Sequence, residues 1–173
     1  MRALRPPLFA SAALVAASAL AACSMTGASS AVVALDDSEA ISCAPADEQG
    51  RAAFGISGIR NVSGTDAEVV AAELVDAEGM ELIGLELRPY ADQDAHLVGL
   101  DYDRYGPQAV VLPQSLSGGS DYVTLVGVRV PPGSSGSADA IALSFRASDG
   151  DGTTQTLIRM EVVPTDAACR LPD

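Results

Sequence analysis

The sequence predicts an all-β domain, and three observations predict it. From Ala52 onward, short runs rich in Val, Ile, Leu and Thr are separated by clusters of Gly, Pro, Asp and Ser. Several of these runs carry apolar residues at every second position, the period of a half-buried strand. The 173 residues are also 48% hydrophobic with a mean hydropathy of +0.23, which argues against a disordered chain, although Trp is absent and aromatics reach only 4%.

Taken in order, Ala53–Val62 is the first run, and Ser63-Gly64-Thr65-Asp66 turns the chain after it. Glu68–Val75 follows; Val70, Ala71, Leu74 and Val75 also fit a helical face, but the run is short and its neighbours are strands. Asp76-Ala77-Glu78-Gly79 is the next turn, and Met80–Leu87 the next strand, before Pro89. His96–Leu100 and Ala109–Leu112 flank a loop with Arg104-Tyr105-Gly106-Pro107. Asp121–Val130 is the clearest run, with Val126, Val128 and Val130 on one face and Val123 and Leu125 on the other. Ala140–Ala147 alternates through Ile141, Leu143 and Phe145, and Asp149-Gly150-Asp151-Gly152 supplies the positive φ of a hairpin turn. Thr154–Val163 closes the series.

Seven or eight strands spaced by turns over about 120 residues resemble an immunoglobulin-like β-sandwich. The likeness is one of architecture and implies no activity. The Cys-Trp-Cys pattern of antibody-type domains is missing, since the chain has no Trp.

The N-terminus reads as an address. Arg2 and Arg5 form a positive segment ahead of the apolar stretch Leu8–Ala22. That stretch is shorter than the ~20 helical residues needed to span a ~30 Å bilayer core. It ends in Leu20-Ala21-Ala22-Cys23, a branched apolar residue and two small ones before a Cys. This resembles the lipobox of bacterial lipoproteins, of the high-GC Gram-positive type. The resemblance covers residues 1–23 and implies cleavage before Cys23 and acylation of its thiol. It divides the chain into a signal peptide over 1–22, a flexible tether over 23–40 and a sandwich domain over 41–173. Residues 24–40 are mostly small, polar or acidic and bury little apolar surface, although Val32, Val33 and Leu35 could instead add an edge strand.

With Cys23 assigned to the acyl group, Cys43 and Cys169 remain, just before the first strand and just after the last. Outside the cytoplasm two such thiols are expected to oxidise to a disulfide.

Charge narrows the partners. Acidic residues outnumber basic ones 23 to 10, a net charge of −13, which repels phosphate backbones and argues against nucleic-acid binding. All the basic residues are Arg, so a phosphate-cradling loop with its Lys is excluded. His96 is the single histidine; with Asp92 and Asp94 alternating before it, and Asp101 and Asp103 after, it forms the best metal-like cluster. Solvated charges on an exposed segment explain the same residues. Asp149, Asp151 and Thr153 imitate the start of a calcium loop, but Met160 stands where its bidentate Glu belongs. Ser117-Gly118-Gly119-Ser120 lacks the pattern around a nucleophilic Ser.

Tyr90, Tyr102 and Tyr105, with Arg88 and Arg104, concentrate side chains typical of binding hot spots into one region. Packing on the sandwich edge is the plain alternative. The expectation is therefore a non-catalytic, cofactor-free lipoprotein. It would be anchored to the cell membrane on its extracytoplasmic face through Cys23 and act on an envelope protein or polysaccharide. A metal- or ligand-binding accessory lipoprotein using Asp92–Asp103 is the alternative.

Overall fold

The computed structural model describes residues 31–35, 40–90 and 102–169. These form β1 (Val32–Ala34), β2 (Ala40–Pro45), β3 (Arg51–Asn61), β4 (Ala67–Val75), β5 (Glu81–Pro89), a one-turn helix α1 (Tyr102–Tyr105), β6 (Gln114–Leu116), β7 (Asp121–Arg129), β8 (Gly136–Ala138), β9 (Ala140–Ala147), β10 (Gly150–Gln155) and β11 (Ile158–Val163). The chain is all-β, as its alternation predicts, but eleven strands replace the expected seven or eight among the described residues.

Two four-stranded antiparallel sheets make the sandwich, one ordered β1-β3-β7-β5 and the other β10-β9-β4-β6. Their inner faces share one core. Phe54, Val126 and Leu85 lie in register across the first sheet and oppose Val69, Ile141, Leu143 and Phe145 of the second, all at most 2% exposed. Each such side chain contributes about 1.5–3 kcal/mol by leaving water. The Val70–Val75 segment is strand, not helix, because β4 is held between β9 and β6.

The third sheet explains part of the extra count. Thr154–Val163 is not one strand: β10 stays on β9 as far as Gln155, and β11 then leaves to pair with β2 in parallel and β8 antiparallel. The break is held by Thr156, 2% exposed, whose N–H donates to the Ile141 carbonyl while its Oγ1 accepts the Ile141 N–H. Cys43 of β2 is bonded through sulfur to Cys169 in the segment beyond β11, at 2.07 Å and with a Cα–Cα distance of 5.8 Å. The expected disulfide is present.

Two segments depart from expectation for physical reasons. Ala109–Leu112 forms no strand of its own: between Pro107 and Pro113 it runs along the β5 edge of the first sheet, with one bridge, Val110 to Leu85. Residues 31–35 do not belong to a free tether. Val32, Val33 and Ala34 pair with Asn61, Arg60 and Ile59, and Ala31 and Val32 are each 3% exposed. The two buried apolar side chains and a ladder of main-chain hydrogen bonds outweigh the ordering cost of so short a strand. His96–Leu100 and Cys23 lie outside the described residues.

Asn61, the chain's one asparagine, ends β3 fully buried. Its Nδ2 donates to the carbonyls of Thr65 and Leu116, both at 2.9 Å. Its Oδ1 accepts the Ser63 N–H and hydroxyl at 3.0 and 2.7 Å. One side chain thus ties the β3–β4 turn to β6.

Candidate functional site

The tyrosine- and arginine-bearing region is a strap on the outer face of the first sheet. Gly84 of β5 and Gly127 of β7 are register partners, and Pro107 rests directly on them. A Cβ at Gly84 would stand 2.0 Å from the Pro107 carbonyl oxygen, so this approach requires glycine. The Tyr102 hydroxyl donates to the same carbonyl at 2.8 Å. Further along, the strap saturates the edge of β5. Leu85 N–H donates to the Ala109 carbonyl, while the Gln114 side-chain amide accepts from Leu87 N–H at 2.8 Å and donates to the Leu85 carbonyl at 3.1 Å. An edge covered this way is closed to strand addition by another chain. Gly84→Ala should lift the strap and cost about 2 kcal/mol, as overpacking does. Thermal unfolding together with faster amide exchange over 102–113 would register it, and an unchanged melting temperature would contradict the close approach.

Beneath the strap's start lies a polar cleft of about 360 Å³ lined by Gln49, Arg51, Ile83, Tyr102, Gln108 and Arg129. Arg51 and Arg129 are direct cross-strand partners of β3 and β7. Like charges so placed repel, and three carboxylates compensate them. Arg51 binds Asp47 and Asp103, with Nη2 at 2.7 and 2.6 Å from their oxygens, and Arg129 Nε lies 3.3 Å from Glu81. The loop before β3 fixes Arg51. The Asp47 carboxylate accepts the N–H groups of Gln49 and Arg51, each at 2.8 Å, and Gly50 turns the chain with φ +79°. Burial acts to raise the Asp47 carboxyl, but the N–H and guanidinium of Arg51 and the N–H of Gln49 outweigh it and hold the group below the ordinary range. The Arg51 guanidinium also stands 4.6 Å above the Tyr102 ring. Burial pushes the Tyr102 phenol up, so it stays a neutral donor.

This geometry corrects the expected contact set. Tyr102 is 5% exposed and clamps the strap, so it is a structural residue rather than a projecting contact. Arg88 forms a two-pronged ion pair with Glu86, both bonds 2.9 Å. Tyr90 is 47% exposed, but its N–H donates to the Asp121 carbonyl, at the end of the sheet opposite Arg129. Those ends are eight residue steps apart along β7, about 26 Å at strand rise. Arg104 is exposed on α1; Tyr105 shares that helix, and its side chain lies outside the described set. Of the expected contacts, Tyr102 is thus withdrawn into the fold and Arg88 is engaged by Glu86.

Among the described residues, no three His, Cys, Asp or Glu side chains gather at a point that could hold a metal ion. Asp92, Asp94, His96 and Asp101 lie outside those residues, and the carboxylate of Asp103 is engaged by Arg51. Sequence reasoning missed Arg51 and Arg129 as a pair. They are far apart in the chain, and only the β3–β7 register brings them face to face.

No family model matches the sequence, and no curated protein does. Among solved structures, the Vibrio cholerae VesB protease superposes with a TM-score of 0.34 at 8% identity over 72% of this chain. The chain spans 30% of that protease's length.

Proposed function

We propose that the chain is an extracytoplasmic lipoprotein, anchored by acylated Cys23 and acting as a non-catalytic binding module toward an envelope protein or polysaccharide. The observation that carries this reading is the Cys43–Cys169 disulfide. Such a bridge persists in oxidising compartments and is rare in the cytoplasm, so it agrees with export signalled independently by Arg2, Arg5, Leu8–Ala22 and the lipobox-like Leu20-Ala21-Ala22-Cys23. The pairing also leaves Cys23 as the one cysteine outside the bridge, the residue that the lipobox pattern modifies. Two acyl chains hold a protein at a membrane where one does not, since each buried methylene contributes about 0.8 kcal/mol. Once Arg2 and Arg5 leave with the signal peptide, 8 Arg face 23 acids, a net charge of −15 that gains nothing from an anionic lipid surface, so attachment depends on that covalent anchor.

Cys23→Ser should move the protein from the detergent-extracted membrane fraction to the soluble extracytoplasmic fraction and abolish labelling by a fatty-acid probe. Intact-mass measurement of the wild-type protein should show a chain starting at a diacylated Cys23. An unmodified Cys23 in the exported protein would end the anchoring argument.

A further inference from the structure

We propose that the sandwich stands end-on at the membrane, with its Asn61 end turned to the lipid headgroups and the Arg51–Arg129 cleft facing away. The inference rests on the lipid anchor at Cys23 and adds to it a fact of the fold, the docking of β1. Val32 pairs with Asn61, and Val62 N–H donates to the Ala31 carbonyl at 2.7 Å, so the chain leaves the sheet N-terminally beyond the Asn61 end of β3. Ala31 and Val32 are buried, so this exit point is part of the core and not a fraying end.

From Cys23 to Ala31 is eight residue steps, at most about 28 Å even when fully extended. Arg51 lies ten residues up β3 from Asn61, about 33 Å farther from that exit point along the strand. The leash is therefore shorter than the strand it holds. The loops at the Asn61 end are small and hydroxyl-rich: the Thr65 hydroxyl meets that of Ser148 at 2.8 Å, Ser117–Ser120 lie beside the β3–β4 turn, and the Asp66 carboxylate there accepts the Gly118 N–H. Arg60 and Asp121, at the same end, neutralise each other. Laying the domain flat would instead press more of an acidic surface against anionic lipid (8 Arg against 23 acids from Cys23 onward, a net charge of −15), which the short-range surface potential opposes. The Arg51–Arg129 cleft thus faces the aqueous side.

The test is energy transfer on the full lipidated chain, purified from membranes in detergent and reconstituted into phosphatidylcholine–phosphatidylglycerol vesicles with a headgroup acceptor dye. A donor is placed on Gly64→Cys, where a side chain meets open space, or on exposed Ser135→Cys beyond β7. The native disulfide leaves the introduced thiol for labelling. Transfer from position 64 should exceed that from 135 by about threefold or more, given a separation near the length of β3. Equal transfer, or stronger transfer from 135, in protein that floats with the vesicles would overturn the orientation while leaving the anchor intact. Protein that does not float and carries an unmodified Cys23 would overturn both.

Discussion

Replacing Cys43 and Cys169 together by Ser is expected to destabilise the domain by about 5 kcal/mol on the chain-entropy model, with ~3 kcal/mol as the lower expectation. The two residues lie 126 positions apart, so the bridge closes nearly the whole domain into one loop and removes the most extended conformations of the unfolded chain. In the folded state it ties the segment after β11 back to β2. Residues 165–169 of that segment are exposed and do not otherwise pack into the core. For a domain of this size the change corresponds to a drop in melting temperature of about 10–15 °C. The six-residue register between β2 and β11 should survive, so the double variant is expected to fold, with a near-native circular dichroism spectrum. Thermal unfolding with and without reductant on the wild-type chain should give the same difference. A shift of only a degree or two would mean that the unfolded ensemble is already compact enough for the bridge to constrain little.

Asn61→Asp is expected to be the most damaging single polar substitution, by about 3–5 kcal/mol at neutral pH. The Nδ2 group that now donates to the Thr65 and Leu116 carbonyls would become a carboxylate oxygen facing them, with no N–H to offer. Burial raises the pKa of such a carboxyl above its unfolded value. A group raised in the folded state contributes stability only below its unfolded pKa and loses it as pH rises through the folded one. The deficit of the variant should therefore be largest near neutrality and shrink as pH falls toward about 4. Asn61→Ala should cost about 3 kcal/mol with no such pH dependence, because it leaves the same partners unbonded without adding a charge. Urea unfolding of the three proteins across pH separates the cases. A parallel pH profile for the Asp variant and wild type would mean the carboxylate had found solvent.

Some elements were legible because their evidence is local. The alternation in Asp121–Val130 and Ala140–Ala147 is set by the two-residue period of a strand, and β7 and β9 occupy nearly those bounds. The hairpin was legible from the local Asp-Gly signal, although its two turn residues are Ser148 and Asp149, since Gly150 already pairs with Ala147 as the first residue of β10. The Cys43–Cys169 pairing followed from counting cysteines once Cys23 was set aside. The strap was misread because tyrosines and arginines near one another in sequence suggest one surface. Gly84 and Gly127, which carry no side-chain signal, instead let Pro107 settle onto the sheet and draw Tyr102 inside. Val32 was equally ambiguous, since three apolar residues in a polar stretch reveal no partner until β3 presents its edge.

By itself, the sequence determined the strand-forming pattern, the excess of acidic residues and the cysteine inventory. Each depends on residue type and short-range spacing. Only the tertiary structure decided which strands lie beside which. Register made Arg51 oppose Arg129, sent β11 out of the main sandwich to meet β2, and drew residues 31–35 into the fold. Those outcomes depend on long-range strand pairing, where many registers satisfy the same alternation locally. The shared burial of the core and the hydrogen-bonding of every main-chain group select one among them.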